Sequence, residues 1–226
     1  MPTPTLDSIE LETGESPTHS IIWLHGLGAD GHDFEPIVRE LHLPANLAIR
    51  FIFPHAPVRP ITLNGGMPMR GWYDLKSLEL DRSSQDPEGV RDSSENVLAI
   101  VRQEMERGIA AENIIVAGFS QGGAIALFTA LTGPVKLGGV MGLSTYLPMM
   151  ADDFAQKNNG FSDIPFFLAH GEFDDVVQYK YALMSREAIM QAGFKPQWHS
   201  YKVAHGLNAE EVRDISTWLQ GVIQNP

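Results

Sequence analysis

The chain contains no cysteine, so disulfides, thiolate zinc sites, iron–sulfur clusters and cysteine nucleophiles are excluded. It has no long hydrophobic run: Ile21-Ile22-Trp23-Leu24 is typical, far short of the roughly 20 residues that span a bilayer. The opening residues lack a basic segment followed by an apolar stretch, so no secretory signal is read there. Basic residues are scarce, 16 against 28 acidic, a formal charge of −12 that argues against nucleic-acid partners and against stable insertion into anionic membranes. No G-x-x-x-x-G-K-[ST] phosphate loop and no H-E-x-x-H string occurs, so no metal and no cofactor is expected. Gly26-Leu27-Gly28-Ala29-Asp30-Gly31 has its third glycine in the wrong place for a dinucleotide loop. The expectation is a cytoplasmic protein, acidic and without cofactor.

The 226 residues, 43% hydrophobic and 19% charged, are enough for one domain with its own core. After a Pro- and Thr-rich opening that reads as an edge strand or loose arm (residues 1–17), six short apolar runs follow: 20–24, 48–53, 113–118, 138–143, 165–170 and 196–201. Their length and composition suit strands buried on both faces of a mostly parallel sheet. Between them lie helical patterns. Val90, Val97, Leu98, Val101 and Met105 form one stripe over 88–107. Val212, Ile215, Trp218, Leu219 and Val222 form another over 208–222, with Asn208 as N-cap. Stretches 121–131 and 181–192 complete an α/β alternation with helices on both faces of the sheet. The stretch 56–87 breaks the pattern with Gly, Pro, Met and aromatics, and reads as a functional loop within a single domain spanning 1–226.

The chemistry centres on Gly118-Phe119-Ser120-Gln121-Gly122. A G-x-S-x-G string is common by chance, but here a strand precedes it and a helical pattern follows. That is the setting of a nucleophile elbow, whose serine is lifted above the sheet toward backbone N–H groups. The competing reading is a tight turn with a serine N-cap. Ser144 also ends a strand but lacks a following helix. Downstream, the loop after 165–170 carries acids (Glu172, Asp174, Asp175), and His205 lies between a strand and the last helix. Nucleophile, acid, base is the chain order of the α/β-hydrolases. His170 and His55 read as structural residues. The Gly-rich loop at 26–28 follows an early strand, where those enzymes carry one oxyanion donor, giving the backbone N–H groups of Leu27 and Gln121 as the pair.

With WLHGLGAD (23–30), FPHAPVRP (53–60), ITLNGGMPMRGWYD (61–74), AGFSQGG (117–123), GLSTYLP (142–148) and HGEFDDVV (170–177), the chain resembles the small carboxylesterase and acyl-protein thioesterase family, the phospholipase/carboxylesterase group. The likeness runs nearly throughout from Ile21. It implies the α/β-hydrolase fold, with Ser120 as nucleophile, Asp174 rather than Asp175 as acid, and His205 as base. Ala204 departs from the glycine more usual before that histidine. The implied activity is a serine carboxylesterase, with acyl thioesters as further substrates. The alternatives are a lysophospholipase or acyl-protein thioesterase on the same triad, or a hydrolase-like protein that binds without turnover. The partner is a small-molecule or lipid acyl ester, and the resemblance permits a homodimer. Within 61–87, Leu63, Met69, Trp72 and Tyr73 are expected to line the acyl groove.

Overall fold

The computed structural model describes residues 6–79, 86–148 and 161–224. Residues 1–5 of the opening arm and 80–85 of the long loop lie outside them. Among the described residues, all six apolar runs are strands: β2 (His19–Leu24), β3 (Ile49–Pro54), β6 (Ile114–Phe119), β7 (Gly139–Leu143), β8 (Phe166–Gly171) and β9 (Gln197–Tyr201). A further strand, β1 (Ser8–Glu12), realises the edge-strand reading of the opening segment by pairing antiparallel with β3. The sheet order is β1-β3-β2-β6-β7-β8-β9, and every pairing except β1–β3 is parallel.

Alternation along each strand splits the core in two. Ile22, Leu24, Ile52, Val116 and Leu168 face α2 (Pro87–Glu106), α3 (Gln121–Thr132) and α4 (Tyr179–Gln191). Their neighbours Ile21, Trp23, Phe51, Ile115 and Phe167 face α1 (Ile37–Glu40) and α5 (Ala209–Gln224). A period of two with both faces apolar is what a parallel sheet between helical layers demands. The long helices begin where their caps are. The Asp86 carboxylate accepts from Gly89 N–H ahead of Pro87, and the Asn208 side chain accepts from Glu211 N–H at 2.8 Å.

The amino ends of the strands are tied by charge. Glu104 of α2, 1% exposed, accepts from Ser20 Oγ (2.5 Å), Arg50 (2.7 Å) and Arg107 (2.9 Å). Arg50 and Arg107 in turn bond Glu12 and Glu10, which holds the edge strand to the sheet.

Two short features escape the sequence reading. One is α1, a single turn. The other lies within the loop after β3, which contains the antiparallel hairpin β4 (Val58–Ile61) and β5 (Met67–Arg70), with Pro60 opposite Pro68. A two-stranded ribbon with prolines in both strands, apart from the main sheet, carries no alternation for a sequence reading to find.

Chain order reverses at β2: β3 lies on one side of it and β6 on the other. The crevice beyond the carboxyl ends of β2 and β6 is therefore the switch point where open α/β sheets bind ligands. The loop carrying Leu27 and the turn carrying Ser120 both open there, since Leu24 and Gly118 are paired neighbours.

Candidate active site

Ser120 joins β6 to α3 with φ 53° and ψ −119°, a conformation strained for any residue with a side chain. Glycine is required on both sides of it. A Cβ on Gly118 would stand 2.4 Å from the Gly122 backbone, and one on Gly122 would stand 2.5 Å from the Leu24 and His25 carbonyls. The Ser120 hydroxyl makes no capping bond to α3, although the residue occupies the N-cap position. The tight-turn reading needed that bond, so the hydroxyl is left without a structural task there. Its backbone is held instead: Ser120 N–H donates to Leu143 O (2.9 Å), and its carbonyl accepts from Thr145 Oγ1 (2.6 Å) and Ala124 N–H (3.1 Å). Ser144, the other strand-end serine, is fully buried and its hydroxyl has no partner.

His205 and Asp174 meet across the loops that follow β9 and β8. His205 Nδ1 lies 2.8 Å from Asp174 Oδ2, while Asp174 Oδ1 accepts from the N–H groups of Val176 (2.9 Å) and Val177 (2.7 Å). Burial opposes ionisation of Asp174, but the hydrogen bond from His205 and then that from Val177 outweigh it, holding the carboxyl below its ordinary value. An ionised Asp174 fixes the proton on His205 Nδ1 and leaves Nε2 with its lone pair. Asp175 is exposed. His170, buried as expected, places Nε2 2.8 Å from Val177 O and 3.4 Å from Asp174 Oδ2. Both neighbours are acceptors, so Nε2 carries a proton; burial lowers the pKa of this imidazole against the opposing pull of the Val177 carbonyl and Asp174. His55 is likewise structural, with Nδ1 accepting from Gly31 N–H.

Ser120, Gln121, Leu27, His205 and Leu63 line one cavity of about 440 Å³, which brings together five of the residues singled out by sequence. Its apolar wall comes from Leu63, Leu75, Leu78, Tyr146 and Val177. Leu63, one of the residues expected to line the acyl groove, is on this wall. Trp72 and Tyr73 are not: they are 0% and 2% exposed and sit in the core. The reason is polar as much as apolar. The Trp72 indole N–H reaches His25 O (2.8 Å) and the Tyr73 hydroxyl meets that of Tyr146, bonds available only inside. Met69 is also absent from the cavity wall; its sulfur lies 3.2 Å from Asn64 Nδ2. The sequence reading missed Leu75, Tyr146 and Val177, which reach the site from three separate segments. Past Phe119, whose ring packs 4.7 Å from that of His205, a shallower groove of about 910 Å³ runs between α1 and the start of α5. Among the described residues, no group of three or more His, Asp or Glu side chains is placed to hold a metal, and no helix is long and apolar enough to cross a membrane.

Residues 7–223 match the family model described as phospholipase/carboxylesterase. An acyl-protein thioesterase 1 from Yarrowia lipolytica is 37% identical over 221 residues, covering 96% of this chain and 97% of that protein. Among solved structures, an acyl-protein thioesterase 2 from Zea mays superposes with a TM-score of 0.85 at 30% identity, covering 96% of this chain and 99% of that one. SOBER1 from Arabidopsis thaliana gives 0.85 at 31% identity, over 91% and 99%.

Proposed function

Because the chain belongs to the phospholipase/carboxylesterase family and is a serine hydrolase of α/β-hydrolase fold, we propose that it hydrolyses carboxylic esters and acyl thioesters of lipophilic acids through an acyl-enzyme on Ser120. The observation that carries this reading is the Asp174–His205 pair, 2.8 Å apart, opening on the same cavity as a strained serine whose hydroxyl caps nothing. The Ser120 oxygen attacks the acyl carbon while His205 Nε2 takes its proton, and the carbonyl π pair moves onto oxygen. Asp174 holds the imidazole and balances the charge it gains. The oxyanion is met by the backbone N–H groups of Leu27 and Gln121. Collapse breaks the C–O or C–S bond, and His205 returns the proton to the departing alcohol or thiol. Water then repeats the sequence on the acyl-enzyme, with His205 as base, and releases the acid.

The apolar walls around Leu63, Leu75 and Leu78 suit the acyl chain. The leaving group departs on the side of the imidazole that protonates it, and Gly206, next to His205 in the chain, lines the shallower groove. The thioester half of the reading is favoured by the relatives that bear the thioesterase name. Fluorophosphonate labelling, peptide mapping and a panel of esters with matched thioesters of rising acyl length test the reading. One label per chain on Ser120 and turnover that improves with acyl length are expected. Labelling elsewhere, or none, would refute it.

A further inference from the structure

Two peptide planes carry the proposed oxyanion donors, and each is pinned through its own carbonyl. The Gly26–Leu27 peptide presents Leu27 N–H, and its oxygen lies 2.7 Å from His25 Nδ1. His25 Nε2 accepts from Ala56 N–H (3.0 Å), so the proton is on Nδ1 and the bond to Gly26 O is a true donation. The Ser120–Gln121 peptide presents Gln121 N–H, and its oxygen takes the Thr145 hydroxyl. Fixing a carbonyl fixes the N–H at the other end of the same planar unit.

One residue connects the two halves. The Trp72 indole N–H donates to His25 O at 2.8 Å, and its ring lies 5.3 Å from the imidazole. Its backbone N–H donates to the Gln121 side-chain oxygen at 2.8 Å, and its carbonyl accepts from Ser93 Oγ of α2. The Gln121 amide nitrogen donates in turn to Tyr73 O at 2.8 Å. The amide orientation is settled by its partners, one of which can only donate and the other only accept. Trp72, Gln121 and His25 are all buried, so these bonds meet no competition from water.

We propose that Trp72 is a positioning residue that sets the spacing of the two oxyanion donors, bracing the Leu27 loop against the Gln121 end of α3; this rests on the esterase reading above. The brace never touches substrate. It acts on both tetrahedral intermediates and leaves ground-state binding alone, so its loss lowers kcat at constant KM. Removing an oxyanion donor outright costs about 10²–10³ in rate. A donor that is present but misaimed costs less, on the order of tenfold.

Trp72→Phe keeps an aromatic ring in the core and deletes the indole N–H together with the carbons of the second ring. With fluorophosphonate-titrated sites as the denominator, unfolded protein does not enter the rate. The expected result is a fall in kcat of about tenfold, equal for acetate and octanoate esters, in both acylation and deacylation, with KM unchanged. Gln121→Met, which keeps the 121 backbone N–H, removes the other end of the brace and gives the same pattern should the first variant fold poorly. An unchanged kcat per titrated serine overturns the brace. So does a loss confined to KM for long chains, which returns Trp72 to the acyl groove. Failure of wild-type chain to label at Ser120 brings down the esterase reading and the brace with it; full labelling with unaltered kcat in the variants brings down the brace alone.

Discussion

Replacing Glu211 by glutamine puts a number on the burial of an acid beside the site. Glu211 stands in the first turn of α5, six residues after His205, is 0% exposed, and neither of its carboxyl oxygens has a hydrogen-bond partner. Burial, and then the nearby charge of Asp214, pushes its carboxyl from 4.5 up to about 8. Between those values the folded chain keeps a proton that the unfolded chain releases. Stability from the neutral acid is therefore fully present below about pH 4.5 and is lost as pH rises through about 8. At 1.36 kcal/mol per unit, the whole window is worth about 5 kcal/mol. Glutamine cannot ionise, so stability of the variant lacks this slope. Its amide is equally short of partners, and the offset between the two proteins is less informative than how that offset changes. Urea denaturation of both chains at several pH values reads it directly. The variant should gain about 3 kcal/mol on the wild type between roughly pH 5.5 and 7.5. Parallel stability curves would mean that Glu211 is ionised at neutral pH, with water or a partner on its carboxylate, and would refute the reasoning.

Asp174→Asn should lower kcat by on the order of 10⁴, because an amide no longer enforces the Nδ1–H tautomer of His205, whereas exposed Asp175→Asn should change it less than about threefold. Steady-state kinetics on a chromogenic ester decides, and the reverse ranking would move the acid to Asp175. Glu104→Ala takes the 2.7 Å carboxylate from Arg50, whose side chain is only 10% exposed, and leaves it Glu12 as its remaining close partner, at a cost of up to about 3–5 kcal/mol. A chain of this size should then melt about 10 °C lower, while kcat well below the melting temperature holds, since the cluster lies at the opposite ends of the strands from Ser120. A melting temperature within about 2 °C of wild type would show that Glu12 alone is a sufficient partner for Arg50.

What could be read from sequence follows from what makes a pattern. Strands buried on both faces must be short and apolar, and helices covering them must carry a stripe, so β2, β3, β6–β8 and the four long helices were legible almost to the residue, while β9, at the sheet edge with only Tyr201 buried, followed from its place in the strand–helix alternation. The hairpin β4–β5 lies apart from the main sheet, its strands are four residues long, and its side chains are mostly exposed or half-buried, so nothing forced its residues to alternate. The same limit separates Ser120 from Trp72. A nucleophile elbow needs small residues at fixed offsets because a Cβ there would stand within about 2.5 Å of backbone atoms, and that constraint is written in the local string as Gly118 and Gly122. Trp72 answers to partners 47 and 49 residues away, through one indole N–H and its own main chain. Hydrophobicity alone cannot tell an aromatic that greets a ligand from one that turns inward to hold a loop. What separates the two is where the N–H goes. An indole in an acyl groove would have to leave that N–H among methylenes at a cost of about 1–3 kcal/mol, whereas the core offers it the His25 carbonyl. In the insertion after β3, Leu63, Leu75 and Leu78, with no polar side-chain atom to satisfy, stand at the cavity beside Asn64, while the aromatics Trp72 and Tyr73, each with one side-chain donor to place, lie in the core.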